Sequence, residues 1–173
     1  IGGDECPKVR WEKCPRCQAR IRQLGLRDKD GYTAEHYLQG YVTDRIGKYL
    51  AERGRRIIGW DEILEGQAPS DAIVMSWRGS AGGIKAAKLG HDVIMTPNSH
   101  FYFDYYQSPD ADAEPFGIGG CVTIDKVYSF DPMADLTPEQ LAHILGVQAN
   151  LWTEYIASDD HLEYMLLPRL AAL

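Results

Sequence analysis

The stretch AIVMSWRGSAGGIKAAKLGHDVIMT, residues 72–96, decides the fold. Ala72 to Trp77 is apolar apart from Ser76 and does not alternate with polar residues, as expected of a short strand covered on both faces. Ser80 to Leu89 then reads as a helix closed by Gly90, and Asp92 to Thr96 as the next strand. Strand, helix, strand within this length implies a parallel pair and an α/β fold. Working outward, Ile57-Ile58-Gly59-Trp60 is a further short strand, Val147 to Trp152 is the last, and Ile1-Gly2-Gly3 begins inside what reads as a strand. Thr33 caps a helix with apolar positions Tyr37, Tyr41, Ile46, Tyr49 and Leu50, and Gly54 stands where a left-handed terminator is expected. Thr137-Pro138-Glu139-Gln140 starts a helix to about Ile144, and Ser158-Asp159-Asp160 caps a final one toward Leu173 with a kink at Pro168. The segments up to Gly31 and from Pro97 to about Pro132 read as long loops, the first with one helical turn near Gln18 to Leu24.

The unusual residues gather at the expected strand ends. They are Asp4-Glu5, Trp60-Asp61-Glu62, Trp77-Arg78, the Asn98 to Tyr106 stretch, and Trp152-Thr153-Glu154. Adjacent carboxylates cost free energy unless a site uses them. In a strand their side chains diverge, so both reach one pocket only where the chain turns, which Gly2 and Gly3 make easy. For Asp4-Glu5 alone a solvated loop is the plainer reading, and a single Trp is ordinarily core. Every Trp except Trp11 at such an end, beside carboxylates, points instead to a pocket with aromatic walls, on which the apolar face of a sugar stacks.

The composition suits a soluble globular domain: 173 residues, 45% hydrophobic and 25% charged. A formal charge of −7 and a pI near 5.2 argue against a nucleic-acid partner, and no apolar run is long enough for a membrane span. Cys14-Pro15-Arg16-Cys17, with Cys6 nearby, has the spacing of a zinc hairpin or a redox pair. A metal site, a disulfide and free thiols all remain open, free thiols being the commonest case. With no initiator Met, the chain is expected to be a piece of a longer protein.

In order along the chain, GGDE, GWDE, SWRG, Tyr102-Phe103-Asp104-Tyr105 and LWTE resemble the catalytic barrel of glycoside hydrolase family 20, the β-N-acetylhexosaminidases. Each motif alone is weak; five in order make a specific signal. The resemblance implies a partial TIM (β/α)8 barrel in which residues 1–173 supply strands four to eight with their helices, the first strands and any preceding domain being absent. It implies hydrolysis of terminal non-reducing N-acetylhexosamine from β-glycosides, with no cofactor and with the substrate's own acetamido oxygen as nucleophile. Glu5 is then the general acid/base, its pKa raised by burial and by Asp4, and Asp4 holds the acetamido N–H. Tyr102 contacts the acetamido oxygen, Asp104 and Glu154 bind ring hydroxyls, Trp152 stacks under the ring, and Trp60 and Trp77 wall the acetamido methyl. Asp61, Glu62 and Arg78 are left to ion pairing at the rim. The family's substrate-gripping arginine and a histidine before Ile-Gly-Gly lie outside these residues, so the isolated segment is expected to be inactive. Its uncovered sheet edges predict self-association. The expected partner is a glycan or glycoconjugate carrying N-acetylglucosamine or N-acetylgalactosamine, and the family places the parent in the periplasm, at the cell surface or outside the cell. Two rival readings are a magnesium-dependent barrel enzyme using Asp4, Asp61, Asp104 and Glu154, and a non-catalytic sugar-binding module.

Overall fold

A computed structural model describes residues 1–173. Helices α1 (Val9–Lys13), α2 (Pro15–Leu24) and α3 (Ala34–Ala51) precede strand β1 (Ile58–Trp60). Strand β2 (Ile73–Ser76), helix α4 (Ala81–Lys88) and strand β3 (Val93–Met95) follow, then the short helices α5 (Asn98–Phe101), α6 (Ile124–Tyr128) and α7 (Pro138–Leu141). Strand β4 (Ile144–Val147) and helix α8 (Asp159–Leu166) close the order. The four strands lie in the sequence β1-β2-β3-β4, each parallel to the next. A parallel sheet whose strands pair in chain order suits part of a (β/α) barrel.

The two central strands are the most buried, while Ile58 of β1 and Leu145 of β4 are exposed. Val74 and Val93 are fully inaccessible and join Ile57, Ile63, Ala86 and Met95 in the main core. Helix α4 packs on β2 and β3 through Gly83, Ala86 and Ala87, small residues that bring its backbone close. The helix caps form from local chemistry. The Thr33 N–H donates to His36 Nδ1 at 3.3 Å, Thr137 and Gln140 bond reciprocally, and the His161 N–H donates to the Ser158 hydroxyl.

Several elements differ from the sequence reading. The sheet has four strands, not five: Gly2 bridges Gly59 in parallel fashion, with the Trp60 N–H donating to the Gly2 carbonyl at 3.0 Å. Gly2 and Gly3 sit at φ +70 and +98, which turns the chain out of an extended ladder after one bridge. The last strand begins at Ile144 rather than Val147, and the helix before it stops at Leu141, because the apolar run Ile144-Leu145-Gly146-Val147 pairs with β3. Main-chain pairing then continues irregularly, with Gln148 N–H on the Met95 carbonyl and Asn150 N–H on the Phe101 carbonyl. The early segment holds two helices where one turn is expected. The Pro97 to Pro132 segment is no mere surface loop: Phe101, Phe103, Val122 and Val127 form a second buried cluster.

Gly40 tests how tightly α3 docks. Alanine is the better helix former by about 1 kcal/mol, yet a Cβ at Gly40 would lie 2.6 Å from the main-chain nitrogen of Gln67. Gly40→Ala is therefore expected to lower the urea midpoint. A raised midpoint would mean that helix propensity outweighs this contact.

Candidate active site

Parallel strands finish at the same edge, and there the chain turns bring the motif residues together. After the Gly2-Gly3 turn, Glu5 takes φ +43, a left-handed conformation rare for a residue with a side chain, and both Asp4 and Glu5 face solvent on a cavity of about 360 Å³. The same cavity is lined by Trp60, Trp77, Tyr102, Asp104, Trp152 and Glu154. All eight residues singled out in the sequence thus border one space. Two more belong to it: Ile118, in a glycine-rich stretch without a periodic signal, and Tyr105, which already stands in the Tyr102 to Tyr105 motif.

The aromatic walls brace one another. Trp77 stacks on Tyr102 with ring centroids 6.1 Å apart and planes inclined by 15°. Trp152 stands edge-on to Tyr102 at 6.1 Å and contacts Trp60 at 6.0 Å, joining the two ends of the sheet across the cavity. Trp152 remains 41% exposed, so a ring face is available to a ligand.

Carboxylates behind the walls set their positions. The Glu62 carboxylate accepts from the Trp77 indole N–H at 2.9 Å and from the Glu5 main-chain N–H at 3.4 Å, and burial raises its pKa. Asp61, 3% exposed, accepts from the Trp77 and Arg78 main-chain N–H groups and from the Arg78 guanidinium, which also pairs with Glu65 at 2.6 Å. The expected ion pairing of Asp61, Glu62 and Arg78 is what these contacts are. Asp61 does not border the cavity, so a magnesium site there would lack one of the carboxylates assigned to it.

Two findings go against the sequence reading or lie outside it. Glu5 is not buried: it stands on the open rim with Asp4. Arg169, unnoticed in the sequence, is fully inaccessible and spends its guanidinium on main-chain carbonyls of Phe103, Tyr105, Val122 and Met165, with Phe103 beneath it at 4.8 Å. It clamps the backbone on either side of Asp104. Only the Pro-Arg pair after a helix hinted at it, and one buried arginine has no periodic signature.

Asp104 is 7% exposed, and its Oδ1 is buried without a hydrogen-bond partner. Burial, with Glu154 nearby, pushes its pKa up to about 6. Burial also keeps the Tyr102 hydroxyl protonated, as a hydrogen-bond donor.

A family model described as the catalytic domain of glycosyl hydrolase family 20 matches residues 1–173. A beta-hexosaminidase of Porphyromonas gingivalis is 48% identical over 175 residues, spanning 100% of this chain and 22% of its own length. One from Vibrio furnissii is 33% identical over 177 residues, again over 100% of this chain and 28% of its own. The structure of an exo beta-N-acetylglucosaminidase from Vibrio harveyi, in complex with N-acetylglucosamine, superposes with a TM-score of 0.82 at 30% identity, covering 99% of this chain and 26% of that one. The chain therefore spans about a quarter of the length of these relatives.

The raised pKa of Asp104 has a definite sign. An acid stabilised in its protonated form by folding contributes stability that is fully present below its unfolded value near 3.8 and is lost as pH rises through about 6. Asp104→Asn removes this dependence. Between pH 4 and pH 7 the wild type is expected to lose stability relative to the variant in urea titrations; parallel curves would show that Asp104 is solvated.

Proposed function

The chain belongs to glycoside hydrolase family 20, and we propose that its residues form part of the active site of an enzyme that removes terminal non-reducing N-acetylhexosamine from β-glycosides. The observation that carries this reading is the convergence of five sequence motifs, from the segments that follow four strands and from one turn, on a single cavity lined by aromatic rings and carboxylates. We further propose that residues 1–173 supply strands four to eight of a (β/α)8 barrel, the share of the relatives' length that the chain spans being in keeping with that.

Glu5 protonates the glycosidic oxygen and later deprotonates the incoming water. Asp4 orients the substrate's acetamido group, whose oxygen attacks the anomeric carbon and gives an oxazolinium-like intermediate with retention of configuration. Asp4 offsets the positive charge that develops there, and the Tyr102 hydroxyl donates to the acetamido oxygen. Trp60 and Trp77 enclose the acetamido methyl, where apolar surface favours N-acetyl sugars over plain hexoses. Trp152 stacks beneath the pyranose ring, while Asp104 and Glu154, which line the same cavity, take up the outer hydroxyls. The ligand is a glycan or glycoconjugate ending in N-acetylglucosamine or N-acetylgalactosamine.

The test uses the full-length polypeptide and paired aryl glycosides. N-acetylglucosaminide is expected to be hydrolysed and the matching glucoside not, since the latter lacks the internal nucleophile. Glu5→Gln should lower kcat/KM by about a hundredfold or more on substrates with poor leaving groups, and less on activated aryl glycosides. Asp4→Asn should retain binding but lose turnover. Comparable hydrolysis of the glucoside would overturn the mechanism, and binding of N-acetylglucosamine without hydrolysis would make the protein a sugar-binding module.

Apart from any partner domain, residues 1–173 are proposed to self-associate, because Val42, Ile46 and Tyr49 form an exposed apolar stripe on α3. Light scattering on the isolated segment should give a mass above that of one chain. A monomer at working concentration would count against it.

A further inference from the structure

Away from the cavity, Cys14-Pro15-Arg16-Cys17 occupies the first turn of α2. Cys14 is the N-cap, in an extended conformation at φ −81 and ψ 116, and Cys17 is the third helical residue. Side chains at these two positions meet across the turn, which is why a capping group ordinarily reaches the third residue's N–H. Here the Cys14 side chain makes no cap bond, so its sulfur is not committed to the helix terminus. Both cysteines are half-buried. Pro15 at the first helical position fixes the backbone between them, so the N-cap and third helical positions keep a set relation. Gln18, one residue on, donates to the Trp11 carbonyl at 3.1 Å and to Glu35 at 2.8 Å, anchoring the turn to α1 and α3.

The two sulfurs are not equivalent. The Cys17 N–H and thiol, the Arg16 N–H and the Arg16 charge hold the Cys14 thiol below its ordinary value, and the bond to Cys14 raises that of Cys17. A lowered thiol pKa at a helix N-terminus marks the more reactive member of such a pair.

We propose that Cys14 and Cys17 form a reversible dithiol–disulfide couple, with Cys14 as the attacking and Cys17 as the resolving thiol, exchanging with low-molecular-weight disulfides. The Cys14 thiolate attacks one sulfur of the disulfide, forming a mixed disulfide and expelling the other half as a thiolate. Cys17 then attacks the Cys14 sulfur, the second half leaves, and the Cys14–Cys17 bond closes. The pair loses two electrons and the external disulfide gains them; the two protons of the pair pass to the departing thiolates or to water. This couple is independent of the glycosidase reading, because neither cysteine borders the cavity.

The experiment incubates the protein with excess oxidised glutathione, alkylates the remaining thiols and maps tryptic peptides by mass spectrometry. Cleavage after Arg16 separates the two cysteines, so the disulfide is read as peptides Cys14–Arg16 and Cys17–Arg20 joined together, and dithiothreitol should part them. In C17S the reaction should stop at a glutathione adduct on Cys14, formed about tenfold faster than the adduct on Cys17 in C14S. C6S should behave as the wild type. Full alkylation of both thiols in the wild type, a cross-link to Cys6, or faster reaction at Cys17 would each overturn the proposal.

Discussion

Parallel hydrogen bonding is the constraint on which the rest depends. Because β1 to β4 run the same way and pair in order, the residues that follow each strand must emerge at one edge. Positions as far apart as Trp60 and Trp152 then meet at 6.0 Å without any special long-range device. The Gly2–Gly59 bridge extends this rule by one chain segment and places Asp4 and Glu5 at the same edge. Strands of three or four residues suffice at the centre of the sheet, where Val74, Val93 and Met95 are buried in the main core.

Behind the cavity the chain resolves its charges in two opposite ways. On the side of β1 and β2, Asp61, Glu62 and Glu65 share the one Arg78 guanidinium, and the Trp77 indole donates to Glu62, so an aromatic wall is held in place. On the other side Arg169 has no carboxylate partner among its bonds and is solvated by carbonyl oxygens alone, and burial pulls its pKa down to about 10. A planar fork of donors fits several converging carbonyls, which a lysine ammonium does not. Phe103 and Tyr105 are held by these bonds, and Asp104 between them keeps its free oxygen.

Residues that declare themselves through period or adjacency were readable before the structure. Ala72 to Trp77 and Asp92 to Thr96 announced a parallel pair through short, mostly apolar runs without alternation, and the carboxylates and tryptophans announced the cavity because they stand next to turn residues. The boundaries of β4 were not readable, since Ile144 to Val147 is apolar enough for either a helix end or a strand and pairing with β3 decided between them. The pair Phe101 and Phe103 lies too far in sequence from Val122 and Val127 to show a pattern, though the four meet in space. The exposure of Glu5 was hidden for a different reason: burial depends on what covers a turn, and the turn's own residues do not say.

The pairing of β3 with β4 also has a topological side. Val93 meets Ile144, fifty-one positions on, and most of the intervening chain forms the rim that carries Tyr102, Asp104, Tyr105 and Ile118. The entropy of closing such a connection rises only with the logarithm of its length, each doubling costing about 0.6 kcal/mol. Residues near 108–120 can therefore be lengthened or shortened at little thermodynamic expense while the Arg169 clamp keeps the ends of the segment in place. The sheet and the rim are in this sense separately adjustable, and the breadth of the cavity mouth becomes a variable that evolution or design can change without disturbing the register below it.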